Sequence, residues 1–275
     1  MNVPSRSFQL PDTVTLLGVP WDEGSSYLRG AASAPPAVRR ALHSPAGNLC
    51  CESGLDLGAE PRFRDAGDLD LAAGGAPFRQ IETAVAGHLD RGTRLLSVGG
   101  DHAITYPILK AYGERYRGLS LLQLDAHPDL YDELDGDRLS HACPFARIME
   151  DGLAARLVQV GIRTLNPHQR SQAERFGVEI HEMRNALPET ALEFDGPLYL
   201  SVDLDVLDPA FAPGVSHHEP GGLSVREVIR LIQSLRAPLA GADVVELNPV
   251  RDLQAVTATV AAKLVKEIAA RMLAG

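Results

Sequence analysis

The stretch QLDAHPDLYD, residues 123–132, carries Asp125, Asp129, Asp132 and His127 within eight positions. SVDLDVLDP places Asp203 and Asp205 two residues apart, GGDH ends in Asp101 and His102, and VVELNP contains Glu246. Carboxylates and imidazoles in this mixture are the ligands of divalent cations. Carboxylates crowded together without cations repel one another, and their pKa values rise. Two divalent cations would cancel the charges of Asp125, Asp129, Asp203 and Asp205. Hard oxygens joined by two imidazoles, His102 and His127, suit Mn²⁺, with Fe²⁺, Co²⁺ and Zn²⁺ as alternatives. Any one of these elements alone is also what a polar turn or a helix cap looks like. Their joint placement makes the chemical reading.

That placement follows from the elements around them. Apolar β-rich runs occur at residues 13–19, 94–98, 119–124, 156–162, 178–181, 197–202 and 242–247. Being apolar at nearly every position, they predict strands buried on both faces. Helical patterns lie between them. SAPPAVRRAL opens with Ser33 as N-cap and prolines in the first turn. PFRQIETAVAGHLDRG spaces Phe78, Ile81, Val85 and Leu89 helically and stops at Gly92. A last helix is expected over residues 253–273. Alternating strands and helices imply a parallel sheet covered on both sides. Asp125, the GGDH group, Asp203 with Asp205, and Glu246 each stand at the carboxyl end of a different predicted strand. In open parallel sheets that edge binds ligands. Two Gly/Pro-rich stretches, 44–77 and 208–222, read as long loops, and loops of that length in a compact domain are usually functional. His217 and His218 lie on the second and read as loop-shaping or near the site entrance rather than as ligands. His43, His88 and His168 read as solvated.

The 275 residues show no linker, repeat or low-complexity tract, so one domain over residues 1–275 is expected. The formal net charge of −10 argues against nucleic acid or an anionic membrane as partner. No apolar run approaches the roughly 20 residues of a membrane span. The start, MNVPSRSFQLPD, has no apolar core of signal-peptide length. Of Cys50, Cys51 and Cys143 two are adjacent and one would be left over, which speaks against a disulfide framework. The expected location is therefore a reducing cytoplasm.

The blocks GGDHAITYP, QLDAHPDLYD, SHACPFARIME, SVDLDVLDPAFAPGVSHHEPGGLS and VVELNPVRD resemble the signature blocks of the ureohydrolase family, which includes arginases and agmatinases. The wording is most similar to plant-type arginases. The resemblance runs from about residue 13 to 270. It implies a three-layer α/β/α sandwich with a mainly parallel, eight-stranded sheet, two Mn²⁺ per subunit, and a homotrimer or homohexamer. One metal would be held by His102, Asp125, Asp129 and Asp203, the other by His127, Asp125, Asp203 and Asp205, with Asp125 and Asp203 bridging. Such a pair, about 3.5–4 Å apart, generates hydroxide that attacks the guanidinium carbon. By the same resemblance Asp129 is a catalytic proton holder, His141 a proton shuttle, and Glu246 the partner of the guanidinium. The products are urea and a primary amine.

Recognition of the substrate tail departs from the animal-type pattern. Those arginases place an Asn after the DAHxD block to grip the α-carboxylate, where this chain has Leu130 and Tyr131. They also place an Asp where GIRTLNP offers Asn166. The loop DLYDELDGDRLS is acidic apart from Arg138. Tyr131, Arg138 and Asn166 are the expected tail-binding residues, Arg138 being the cation available for a carboxylate. L-Arginine is the expected substrate and agmatine the alternative, with a guanidinobutyrase-like specificity beside it and formiminoglutamase more remote. A zinc deacetylase uses fewer acids and commonly a His pair, so the DLD motif and Glu246 speak against one. A non-catalytic family member is disfavoured by intact ligand positions.

Overall fold

The computed structural model describes residues 10–71, 76–113, 115–185 and 192–275. The segment 1–9, read above for a leader core, and residues 72–75 of the first long loop lie outside the described residues. Each of the seven apolar runs forms a strand: β1 Thr13–Val19, β3 Thr93–Gly99, β4 Ser120–Leu124, β5 Arg156–Ile162, β6 Glu179–Glu182, β7 Leu198–Asp203 and β8 Leu239–Val245. An eighth, β2 Phe63–Asp68, lies inside the stretch read as a loop. Its sequence FRDAGD has no apolar run because it is an edge strand, mostly exposed. Ion pairs from Arg39 to Asp65 and Asp68 hold it there instead of a buried face.

All pairings are parallel, in the order β2-β1-β3-β8-β7-β4-β5-β6. Helices α1 Ala34–Leu42, α6 Val225–Ser234 and α7 Val256–Leu273 pack one face of the sheet. Helices α2 Pro77–Asp90, α3 Thr105–Gly113, α4 Pro144–Glu150 and α5 Pro167–Phe176 pack the other. The alternation of side chains along β1 shows the division: Val14 and Leu16 join the first core, Leu17 and Val19 the second. The result is the three-layer α/β/α sandwich. Among the described residues no helix is long and apolar enough to cross a membrane.

Two helix ends differ from expectation for local reasons. Ser33 is the N-cap of α1 by position, but its side chain makes no capping hydrogen bond. The last helix starts at Val256 rather than residue 253. Gln254 and Ala255 adopt left-handed backbone, and the Asp252 carboxylate accepts the N–H groups of Thr257 and Ala258.

The strand register aligns the carboxyl ends of the four central strands. Val98, Val244, Val202 and Leu124 form one row across β3, β8, β7 and β4. The chain leaves all four strands within two residues of that row.

Candidate active site

Each strand exit is shaped by backbone contacts. After β3, Gly100 N–H donates to Val19 O and Asp101 N–H to Trp21 O. A Cβ on Gly100 would overlap the Trp21 carbonyl, so only glycine lets the two chains pass this closely. The Asp101 carboxylate accepts Ala103 N–H and starts the short turn 102–104, which carries His102 into the site. After β8, Glu246 adopts φ 67° while its N–H donates to Gly100 O. Asp129 has φ 50°. Left-handed backbone at two non-glycine residues of one site is strain that surrounding contacts must hold.

These exits bring the six expected ligand residues together. Nδ1 of His102 lies 3.1 Å from Asp125 Oδ2, 3.2 Å from Asp129 Oδ2 and 3.2 Å from Asp203 Oδ2. Nδ1 of His127 lies 2.8 Å from Asp205 Oδ2 and 3.7 Å from Asp125 Oδ1. Donor atoms of His102, Asp125 and Asp129 form one compact group, and those of Asp125, His127 and Asp205 form a second. Asp125 is common to both. Asp203 reaches the first group through Oδ2, while its Oδ1 accepts the Asp205 N–H.

The donor set fits divalent cations on two counts. His102 is fully buried, yet Nδ1 has no aligned hydrogen-bond partner among the described residues despite three oxygens close by. A buried imidazole nitrogen in that state is costly unless it has a ligand. The electrostatics agree. Burial lowers the affinity of both imidazoles for protons, but the surrounding carboxylates outweigh it, raising His102 well above its usual pKa and His127 to about 12. Burial, with Asp205 and Asp125 adding, pushes Asp203 well up. Burial and Asp125 push Asp129 up to about 6. The cluster thus draws positive charge from its own histidines, and divalent cations supply it more effectively.

A layer of polar side chains supports these groups from below. Ser97, Asp243, Ser201, Gln123 and Gln159 form a continuous row across β3, β8, β7, β4 and β5, one residue before the aligned row of strand ends. Ser201 Oγ lies 2.8 Å from His102 Nε2 and donates to Asp243 Oδ1 at 2.6 Å. Gln123 Nε2 donates to Asp125 Oδ2 at 2.6 Å, and Gln159 Nε2 donates to Gln123 Oε1. Such outer hydrogen bonds fix the tautomer and aim of metal ligands. Sequence reading missed this row. Its signal is a polar residue at the same level in each of these largely apolar strands.

Above the cluster lies a cavity of about 220 Å³, a size for a small molecule. His127, Asp129, Asp203, Asp205, His141 and Glu246 line its floor and walls. Glu246 Oε1 accepts His102 N–H at 2.9 Å and stands 3.3 Å from His141 Nδ1. Burial lowers the His141 pKa, but the Glu246 carboxylate more than offsets it and holds it at about 9. Ser26, Thr164 and Gln169 also line the cavity and went unnoticed in the sequence. Ser26 and Thr164 stand on loops and Gln169 on the buried side of α5, with no pattern to distinguish them. His217 lines it too, with its ring stacked on that of His141, which agrees with a place near the site entrance.

The three expected tail residues separate. Tyr131 lines the cavity. Asn166 does not line it. Its Nδ2 donates to the Tyr131 hydroxyl at 2.6 Å, and its Oδ1 caps α5 through Gln169 N–H. Arg138 does not line the cavity either. Its guanidinium pairs with Asp132 at 2.7 Å and Glu150 at 2.9 Å on the outer surface, so it is not available to a substrate carboxylate. Asp132, counted above as loop acidity, is also bound by Arg147. His168 is not simply solvated: its ring stacks on Tyr131, and its Nε2 accepts the Asp132 N–H. Among the described residues no Lys or Arg lines the cavity.

Comparison with known proteins places this geometry. The arginase family pattern matches residues 12–270. "Arginase 1, mitochondrial" of Arabidopsis thaliana is 44% identical over 278 residues, covering 94% of this chain and 81% of that one. An N(1)-aminopropylagmatine ureohydrolase of Thermus thermophilus is 38% identical over 249 residues, covering 86% and 83%. The solved structure of the arginase from Medicago truncatula superimposes with a TM-score of 0.87 at 41% identity, covering 94% and 87%. The organellar name of the Arabidopsis relative overturns the expected cytoplasmic location, which cysteine usage had carried alone. Strand-end carboxylates, sheet order and sequence similarity agree: the chain belongs to the arginase family and is a ureohydrolase of small guanidino compounds.

Proposed function

We propose that the chain hydrolyses L-arginine to urea and ornithine with two Mn²⁺ per subunit, and takes agmatine as a second substrate. The observation that carries the metal reading is the pair of donor groups sharing Asp125, with the orphaned Nδ1 of His102 in one of them. His102, Asp125, Asp129 and Asp203 would hold one ion, and His127, Asp125, Asp203 and Asp205 the other. Ions held there would supply the acidity that makes a water nucleophilic near neutral pH.

The remaining work falls to this chain's own groups. Oε1 of Glu246 is engaged by His102 N–H, while Oε2 accepts no hydrogen bond among the described residues. A carboxylate fixed in this way meets the planar guanidinium fork and sets its carbon over the floor. Asp129, on the cavity floor, would accept the proton of the attacking water and pass it to the leaving amine. His141, between Glu246 at Nδ1 and Ser26 Oγ 2.9 Å from Nε2, carries a proton between the floor and the cavity mouth. Tyr131, its hydroxyl oriented by Asn166, meets the substrate tail.

Agmatine stands beside arginine because, among the described residues, no Lys or Arg lines the cavity to grip a substrate carboxylate. The similarity to both a plant arginase and an aminopropylagmatine hydrolase supports the same pair. Urea release by the Mn²⁺-loaded protein from a panel of guanidino compounds tests the reading. Arginine turnover above agmatine turnover is expected, and no urea from either would end it. A homotrimer or homohexamer belongs to the same reading. Val250, Leu253 and Val256, at 79%, 64% and 45% exposure around the start of α7, leave apolar surface for such contacts, and sedimentation analysis tests it.

A further inference from the structure

Three side chains beside the metal-ligand cluster make a second kind of site. His141, His217 and Glu246 each offer one donor atom, and these three atoms lie within 4.8 Å of one another. One edge of the triangle is already set. Nδ1 of His141 and Oε1 of Glu246 are 3.3 Å apart. Two ligands about 2.0–2.1 Å from a tetrahedral ion stand about 3.3 Å apart. The third member, His217, stands on the loop 208–222 rather than on a strand, and it is only partly buried. Its donor atom already stands within 4.8 Å of the other two.

The donors differ in chemistry from the floor below. Two imidazoles and one carboxylate, with a fourth position open to the cavity, are the ligand set Zn²⁺ takes. The floor is mostly carboxylate oxygen. The supporting contacts are also those of a metal site. Ser26 Oγ lies 2.9 Å from His141 Nε2, the nitrogen that would not ligate, and so aims Nδ1 at Glu246. An outer hydrogen bond of this kind accompanies metal-bound histidine. His217 Nε2 lies 3.5 Å from the same hydroxyl, and the two rings stack with centroids 4.8 Å apart.

We propose that His141, His217 and Glu246 form a further cation site with a preference for Zn²⁺, and that an ion there blocks guanidine hydrolysis. The blockade rests on the reading of Glu246 and His141 given above; the site itself does not. On binding, the ion takes the place of the proton between His141 Nδ1 and Glu246, and that proton leaves to solvent. The ion then neutralises the Glu246 carboxylate whose charge a guanidinium needs, so inhibition is competitive with substrate. Among first-row divalent ions Zn²⁺ outranks Mn²⁺ on nitrogen-rich sites, so zinc is gained here while manganese stays below.

The test uses the full chain, loaded with Mn²⁺ and freed of excess metal. One equivalent of Zn²⁺ is added, the protein is desalted, and bound metals are counted. The expected result is unchanged manganese and one added zinc per chain. His217→Ala and His217→Asn should keep their manganese and melting temperature but lose zinc affinity at least about tenfold, as loss of a ligand costs no less than loss of its outer partner. In a urea assay Zn²⁺ should raise the apparent KM of the parent and do so about tenfold less readily in both variants. Zinc gained in exchange for manganese, or gained equally by the variants, overturns the site. Zinc bound as expected without inhibition overturns the blockade. A protein that releases no urea removes the assigned reaction, while the metal count still decides the site.

Discussion

Asp125 and Asp203 leave two adjacent strands at one level, because each directly follows a member of one register pair, Leu124 with Val202. Both carboxylates face Nδ1 of His102, at 3.1 and 3.2 Å. Acids placed side by side by a parallel sheet cannot move apart without breaking the sheet. Cations should therefore stabilise the fold as well as the reaction. Exhaustive chelation is expected to abolish urea release and lower the melting temperature, with Mn²⁺ restoring both. Full turnover by a verified metal-free protein would contradict the metal reading.

Ligation and proton transfer are separable by substitution. Asp205→Ala removes an oxygen 2.8 Å from His127 Nδ1 and should lose metal along with rate. His141→Asn should retain its manganese and still turn over slowly, by about 10²–10⁴-fold for loss of a proton-transfer group. Metal content measured on both purified variants decides between the roles. Loss of manganese from His141→Asn would show that the assignment is wrong.

The polar row beneath the site gives a prediction at a distance from substrate. Ser201→Ala deletes the link between His102 Nε2 and Asp243. Metal affinity should fall about 10–100-fold, the usual cost of losing an outer partner. Equilibrium dialysis against Mn²⁺ measures it. An unchanged affinity would mean that packing alone orients His102.

His141 couples stability to pH in the metal-free protein. Its pKa, lowered by burial but raised more by Glu246, stands at about 9 when folded, against about 6.5 when unfolded. A pKa raised by folding gives stability that is full below about 6.5 and is lost as pH rises through about 9. The melting-temperature advantage of the parent over His141→Asn should shrink across that interval. A gap that widens with pH would reverse the sign and the argument.

Arg138→Ala should leave the KM values for arginine and agmatine alike. The side chain is half-exposed and paired with Asp132 and Glu150, and such surface pairs are worth about 0–1 kcal/mol. Tyr131→Phe, in contrast, removes a hydroxyl at the cavity wall and should raise KM. A selective rise in arginine KM for Arg138→Ala would return that residue to the site.

What the sequence makes legible depends on the reach of each signal. Strands buried on both faces announce themselves as apolar runs, so their carboxyl ends, and Asp125, His102, Asp203 and Glu246 with them, can be located without knowing which strand pairs with which. Edge strand β2 has no buried stripe to announce. Arg138 misled because charge along a loop does not say which acids will claim it; Asp132 and Glu150 do so only once α4 is in place. Ser26 and Gln169 reach the cavity through tertiary geometry alone.

The strand order has a consequence for how the chain is made. Residues 239–245 form β8, which stands between β3 and β7 and is the last strand of the sheet to be synthesised. Until it emerges, β2-β1-β3 and β7-β4-β5-β6 are two separate ribbons, each with an unpaired parallel edge that will later lie at the middle of the molecule. Such edges are open to pairing with other chains. Arrival of one seven-residue segment closes both edges at once and carries Glu246 to the half-built floor. A product ending before residue 239 would leave both edges open and lack Glu246.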